Sequence, residues 1–154
     1  MSIKLRQLSG DCSVEIVLPS GKVIITNPWR LKLEEVTGAD YIAVSETGSN
    51  GVADIPELVK RFNSKVICCQ EVGRILHGRP FVEMPFGNLD YANVIEVTGG
   101  NTIFFDDLTV EVERGEHISL LQSTRIKYRI RFGKEPSPDM SVADMRKALP
   151  PTKG

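Results

Sequence analysis

The stretch "YIAVSETGSNGVADIPELVKRF", residues 41–62, decides the fold predicted for this chain. It begins with a continuous apolar run, "YIAV", which is typical of a strand that is covered on both faces of a sheet. A glycine-rich turn follows. The apolar residues after the turn then recur at the spacing of one helix face, at Ile55, Leu58, Val59 and Phe62. A strand, a tight turn and an amphipathic helix in direct succession predict an α/β layer.

The start of this helix carries a capping signal. Asp54 precedes the first apolar residue, and Glu57 follows three residues later, which is the spacing of a capping box. We therefore expect the Asp54 carboxylate to accept hydrogen bonds from the backbone N–H groups of the first helical turn.

The segments on either side continue the α/β pattern. Before the stretch, "SIKLRQL", "CSVEIVL" and "KVIIT" are predicted strands, with a hairpin turn at residues 19–21. After it, "SKVICC" is a buried strand and "QEVGRILHG" a short helix that ends at Gly78. Alternation of strands and helices favours a mixed α/β sheet over a sandwich.

The pattern changes after Pro80. The segments "NVIEVT", "NTIFF", "LTVEVER", "HISLLQ" and "RIKYRIRF" are successive predicted strands with polar turns, which we interpret as an antiparallel meander packed against the first sheet. A last helix is predicted at "VADMRKAL", with Ser141 and Asp144 together as its cap. Without an internal repeat, residues 1–154 are interpreted as a single domain.

Composition argues against several classes of partner. Nineteen Lys and Arg residues against twenty Asp and Glu residues leave a formal charge of −1, so no overall field favours nucleic acid or membrane. The N-terminus enters a strand and not the apolar core of a signal peptide, so we expect a cytoplasmic protein. The basic row of "RIKYRIRF" is expected to pair with Glu111 and Glu113 on an outward face and not to bind a nucleic acid.

The chain is poor in metal ligands. Its only histidines are His77, which is expected to end a helix, and His117. A catalytic zinc site typically needs about three protein ligands, and neither a CxxC nor an HxxxH spacing occurs. Three cysteines is an odd number, and we interpret Cys12, Cys68 and Cys69 as small buried hydrophobic residues. A histidine-rich dinuclear centre is therefore excluded for one chain.

The order of these elements resembles the metallo-β-lactamase superfamily, in particular its small stand-alone hydrolases. Members open with a strand, a glycine and a second strand, then an "ilIDPW" strand end, then a strand that enters T-H-x-H-x-D-H-x-G-D and a helix. Here Gly10 follows the first strand, "VIITNPW" spans residues 23–29 and "VSETGSNGVAD" spans residues 44–54. The segment "TGGNTIFFDDLTVEVERGEHIS" is similar to the strands that lead to the next metal-binding histidine, matched here by His117. The resemblance covers residues 3–118 and implies part of an αββα fold.

The metal motif does not carry over. Its four ligand positions are matched by Glu46, Gly48, Asn50 and Gly51, and the aspartate of the "IDP" strand end by Asn27. Glycine has no side chain that ligates a metal. The resemblance therefore implies a pseudoenzyme: a non-catalytic domain without a cofactor that acts as a binding or assembly module.

Two alternatives remain open. Glu46, His117 and Asp11 are of the residue types that bind one divalent metal ion, so they are candidates for an altered metal site. Such a site would belong to a divergent hydrolase of phosphodiesters or esters. The turn at residues 47–54 is instead a candidate anion site in front of a helix N-terminus. Its backbone donors belong to Thr47, Gly48, Ser49, Asn50 and Gly51. The expected cap by Asp54 argues against this anion site, because its carboxylate would take the same donors.

The resemblance also predicts self-association. The superfamily fold has two similar halves packed sheet to sheet, and this chain shows framework for the first half only. We therefore expect an open apolar sheet face and a homodimer that covers it. The candidates for the buried layer of that dimer are Ile16, Ile24, Tyr128 and Ile130.

Overall fold

The structure is a computed structural model that describes residues 3–8, 13–28, 30–45, 54–77, 92–115 and 125–132. The described elements are, in chain order, β1 (Lys4–Gln7), β2 (Val14–Val17), β3 (Val23–Thr26), one 3₁₀ turn (Leu33–Glu35), β4 (Tyr41–Ala43), α1 (Ile55–Phe62), β5 (Lys65–Cys68), α2 (Gln70–Leu76), β6 (Val94–Glu96), β7 (Thr102–Phe104), β8 (Leu108–Gly115) and β9 (Arg125–Phe132). The predicted segments "HISLLQ" and "VADMRKAL" lie outside this part of the chain.

The first sheet has six strands in the order β1-β2-β3-β4-β5-β6. β1, β2 and β3 are antiparallel, and the predicted hairpin between β2 and β3 is confirmed, with Gly21 at a φ of 88°. From β3 onward the neighbouring strands run parallel. Ile42 in β4 and Val66 in β5 are fully buried, as predicted for strands covered on both faces.

The prediction for "NVIEVT" was wrong. We expected it to open the antiparallel meander, but β6 pairs parallel with β5, from Val66 beside Val94 to Cys68 beside Glu96. The physical reason is the crossover through α2, which packs on β6 and brings the chain back in the same direction. An apolar run in the sequence indicates a strand, but it does not tell whether that strand runs parallel or antiparallel to its neighbour in the sheet.

The second sheet has three antiparallel strands in the order β7-β8-β9, so the meander is confirmed for these strands. The expected cross-strand ion pairs are also present. The Arg129 guanidinium lies 3.2 Å from the Glu113 carboxylate and 3.8 Å from that of Glu111. Glu111 is not on an outward, solvated face as predicted, because only 5% of it is exposed.

The second sheet covers the face of the first sheet that we expected to be open. The rings of Tyr41 in β4 and Phe105 lie 4.7 Å apart, centre to centre. Ile24 is 1% exposed in a single chain, and three other predicted dimer residues pack against the same core: Ile16, Tyr128 and Ile130. The open face was therefore a wrong expectation for these residues. The homodimer itself stays a prediction, and it would need another surface.

Helix α1 is confirmed, but its cap is not. Ile55, Leu58 and Val59 are buried and Phe62 is half-buried against the core. Asp54 makes no side-chain capping hydrogen bond, and its φ of −91° and ψ of −8° are helical instead of extended. Its carboxylate accepts a hydrogen bond from the Leu31 backbone N–H at 3.0 Å. A contact with the loop after β3 thus replaces the predicted capping box.

None of the described helices has the length and apolar character of a membrane span.

Candidate functional site

The carboxyl ends of the parallel strands define the candidate site. β3, β4 and β5 lie side by side and run in the same direction, so their last residues meet at one edge of the first sheet. In the sequence, the glycine-rich turn follows Ser45, which is described at this edge. Open α/β sheets bind ligands outside the carboxyl ends of their strands. The topology therefore places Ser45, the last described residue before the turn, where an α/β protein ordinarily holds its ligand.

Asn27 and Ser45 join the ends of β3 and β4 at this edge. The Asn27 side-chain oxygen accepts a hydrogen bond from the Ser45 backbone N–H at 2.8 Å, and the Asn27 amide nitrogen donates to Ser45 Oγ at 2.9 Å. Asn27 has a φ of 41°, a left-handed conformation that asparagine tolerates better than most residues. Ser13 Oγ donates to the Asn27 carbonyl at 2.6 Å and extends the link to the start of β2. The side chain at the "IDP" aspartate position is therefore engaged in holding the framework together.

Tyr128 supports the same edge from the second sheet. Its hydroxyl group donates to the Val44 carbonyl at 2.7 Å and lies 3.1 Å from the Ile67 carbonyl. Burial raises the pKa of the Tyr128 phenol, so the group keeps the proton that it donates. Val44, whose carbonyl accepts this hydrogen bond, directly precedes Ser45. Tyr128 and Asn27 thus fix the strand end from which the turn leaves.

The end of β5 carries the two described cysteines, which are buried as predicted. Burial raises the pKa of Cys68 and, less strongly, that of Cys69. Both thiols are therefore protonated near neutral pH, and a protonated thiol is a poor nucleophile. Cys12 lies outside the described residues, so its burial stays a prediction.

His77 ends α2 as predicted, and it lies beside a carboxylate of β6. His77 Nε2 is 3.8 Å from Glu96 Oε1. Gly73 makes room for this carboxylate, since a Cβ at residue 73 would come within 2.7 Å of Glu96 Cγ. The contacts of His77 and Gly73 with Glu96 thus join α2 to β6.

Sequence reasoning missed Glu96, Ser45 and the Tyr128 hydroxyl, because no motif points to them and the partner of each is distant in sequence.

The predicted site residues cannot be placed in this arrangement. The candidate metal ligands and the candidate anion donors all lie outside the described residues: Asp11, Glu46, Thr47, Gly48, Ser49, Asn50, Gly51 and His117. Within the described ranges, no group of three or more His, Cys, Asp and Glu side chains is arranged to hold a metal ion. The assignments to the turn and to His117 therefore stay predictions.

The donor set does not fit the metal centre implied by the resemblance. Two of its ligand positions are glycines, Gly48 and Gly51, and Asn50 offers a neutral amide in place of an anionic carboxylate or an imidazole. At the nearby strand end, Asn27 is hydrogen-bonded to Ser45. These side chains therefore give no basis for a metal-dependent step.

Solved structures identify the fold. No family model and no curated protein matches the chain. Igni18, a metallo hydrolase from the hyperthermophilic archaeon Ignicoccus hospitalis, matches with a TM-score of 0.64 at 17% identity, covering 84% of this chain and 56% of that chain. MEM-A1, a subclass B3 metallo-β-lactamase from a soil metagenome library, matches with a TM-score of 0.54 at 15% identity, covering 81% and 53%. A metallo-β-lactamase from Staphylococcus aureus matches with a TM-score of 0.54 at 13% identity, covering 86% and 39%.

These likenesses show that the chain has the metallo-β-lactamase fold. The fold class predicted from the sequence, a mixed α/β sheet that forms part of this fold, is therefore confirmed. The chain spans about half the length of these structures, between 39% and 56%. At such low identities the likeness concerns the fold alone.

Proposed function

We propose that the chain is a non-catalytic metallo-β-lactamase-like domain that works as a binding or assembly module. The observation that carries this proposal is the Asn27–Ser45 pair. The position matched to the aspartate of the superfamily motif holds an amide that donates to one atom of Ser45 and accepts from another. A carboxylate only accepts, so the residue type suits a strand link better than a charged site.

The residues of the turn support the same conclusion. Glu46 is the only acidic residue among the four matched ligand positions, and Gly48 and Gly51 contribute only backbone groups. One carboxylate does not hold a catalytic divalent ion by itself, since such sites use about three protein ligands. The sequence that follows β4 thus lacks the ligand types of a metal-dependent hydrolase.

Metal binding and hydrolysis test the proposal together. We expect the purified protein, after incubation with Zn²⁺ or Mn²⁺ and desalting, to retain well under one metal ion per chain. We also expect no hydrolysis of bis(4-nitrophenyl) phosphate or 4-nitrophenyl acetate above a buffer control that contains the same metal. Stoichiometric metal with turnover that Glu46→Ala and His117→Ala both abolish would establish the divergent hydrolase instead.

One observation favours the anion-binding alternative as a second candidate. The objection to it was that Asp54 would occupy the donors of the first turn of α1, but Asp54 makes no side-chain cap and bonds to Leu31 instead. Asp54 therefore leaves the N–H groups of the first turn of α1 to other partners, and such groups at a helix N-terminus attract anions. Amide chemical shifts on titration with inorganic phosphate test this candidate. Saturable shifts at residues 47–55 support it. Their absence up to about 10 mM phosphate, a concentration far above the dissociation constants of ordinary ligands, rejects it.

A further inference from the structure

β1 forms an edge of the first sheet in the part of the chain that the structure describes. Among the described strands it pairs with β2 alone, and all four of its residues are exposed. Leu5 is 71% exposed and Ile3, just before the strand, is 40% exposed. An open strand edge is a template for pairing with another chain, and proteins usually cover or interrupt it. This edge strand is short and carries Lys4 and Arg6, which limit unspecific pairing, but Leu5 and Ile3 make it partly apolar.

The backbone groups that point outward follow from the register. The Leu8 N–H donates to the Ser13 carbonyl at 3.0 Å, so this pair bonds toward β2. Bonding alternates along an antiparallel strand, and therefore Arg6 and Lys4 also bond toward β2. The N–H and C=O groups of Leu5 and Gln7 then point away from the sheet. Leu5 thus combines outward backbone groups with an exposed apolar side chain.

The two faces of β1 differ in character. On one face, Leu5 is in register with Ile16 of β2. On the other face lie Lys4 and Arg6. The Arg6 guanidinium is 2.8 Å from the Glu15 carboxylate, and it donates to the Glu35 carbonyl. Lys4 adds a second, exposed positive charge on this face. An added strand would therefore meet an apolar row and a basic row, in which Lys4 is exposed and Arg6 is already paired with Glu15.

The basic row disfavours a second copy of this chain as the added strand. In antiparallel self-pairing that covers Leu5, this residue would face Ile3, Leu5 or Gln7 of the other copy, the outward-bonding residues of the described segment. If Leu5 faces Leu5 of the other copy, Lys4 lies across from Arg6. If Leu5 faces Gln7, Arg6 lies across from Arg6, and if it faces Ile3, Lys4 lies across from Lys4. Every one of these registers puts like charges directly across from each other, which is destabilising.

We propose that β1 binds an extended segment of another protein, in which apolar residues alternate with acidic ones, as an added antiparallel strand. Backbone hydrogen bonds from Leu5 and Gln7 provide the pairing. The apolar residues of the segment cover Leu5 and Ile3, and its acidic residues lie opposite Lys4 and Arg6. This proposal rests on the proposed function, because it gives the binding module a class of partner.

Two synthetic peptides test the proposal with the full chain. One is a capped six-residue peptide of alternating valine and glutamate, and the other alternates valine and lysine. Binding is measured at low salt from amide chemical shifts. We expect the glutamate peptide to shift the amides of Leu5 and Gln7 and to bind at least about fivefold more tightly than the lysine peptide.

Three variants sharpen the test. Lys4→Glu is expected to reverse the preference between the peptides, whereas Lys60→Glu, the same charge change on an exposed residue of α1, keeps it. Leu5→Pro removes an outward N–H without removing a bond to β2, so it is expected to abolish binding while the chain stays folded by circular dichroism. Equal affinity for the two peptides, no binding of either up to about 1 mM, or unchanged binding by Leu5→Pro would overturn the proposal. Metal uptake and turnover would overturn the proposed function and leave this result intact, so the two failures are distinguishable.

Discussion

Replacement of Tyr128 by phenylalanine removes one hydroxyl group from the contact between the two sheets. That group donates to the Val44 carbonyl at 2.7 Å and lies 3.1 Å from the Ile67 carbonyl. The Ile67 carbonyl keeps a second donor, the Val44 N–H at 2.9 Å, so the main loss falls on Val44. Loss of a partner by a buried acceptor costs about 1–3 kcal/mol, and we expect the free energy of unfolding to fall by about 2 kcal/mol. For a chain of this size, the melting temperature should fall by about 4–8 °C.

Urea denaturation followed by circular dichroism measures this effect. The slope of the unfolding free energy against urea should stay unchanged, because the same surface is exposed on unfolding. Phe104→Leu serves as the control in the same sheet, since Phe104 is 45% exposed and its replacement should change stability by less than about 0.5 kcal/mol. If Tyr128→Phe is as mild as this control, the hydroxyl does not hold the sheets together as described.

Other residues of the framework give further predictions. Asn27→Ala loses both bonds to Ser45 and places alanine in a left-handed conformation, so we expect a loss of about 2 kcal/mol in a denaturant titration; a loss below about 0.5 kcal/mol would contradict the strand link. Asp54→Ala should cost about 1 kcal/mol, whereas Asp54→Asn, whose amide oxygen still accepts from Leu31, should cost much less; equal losses would refute the loop contact. Burial would raise the pKa of Asp107, but hydrogen bonds from Ser20 and Tyr41 and the charge of Lys22 outweigh it and lower that pKa. The stabilisation by Asp107 is therefore present above the unfolded pKa of about 3.9 and is lost as the pH falls through the lower folded pKa. Asp107→Asn should lower the free energy of unfolding at about pH 7, and the values of variant and wild type should become equal at about pH 2. A difference between them that does not depend on pH would refute this. Light scattering coupled to size exclusion tests the homodimer: a mass of about 34 kDa, twice the chain mass of 17.1 kDa, supports it, and a constant mass near 17.1 kDa rejects it.

Local periodicity was enough to predict the elements that lie around the candidate site. The i, i+3, i+4, i+7 spacing in α1 and the apolar run before the turn correspond to one helix and one strand of the structure. The parallel order of β3, β4 and β5 then places Ser45, the residue before the turn, at the carboxyl edge of the sheet. The sequence also shows that the turn lacks the residue types of a metal centre.

The remaining features depend on contacts between distant segments. Asp54 stands at the position of a capping residue in the sequence, but its carboxylate accepts a hydrogen bond from the Leu31 backbone N–H instead. The alternation in "RIKYRIRF" placed Tyr128 on the apolar face, yet it gave no sign that the hydroxyl reaches two carbonyls in the other sheet. The direction of β6 was missed for a similar reason, because it is set by the crossover through α2 and not by its own residues.

The number of metal ions that each chain retains tests the central claim most directly. The protein is purified, incubated with an excess of Zn²⁺ or Mn²⁺, desalted and measured by inductively coupled plasma mass spectrometry, with Glu46→Ala as the matched control. The account predicts well under one ion per chain, with the same value in the variant. About one ion per chain in the natural sequence that is lost in Glu46→Ala would contradict it.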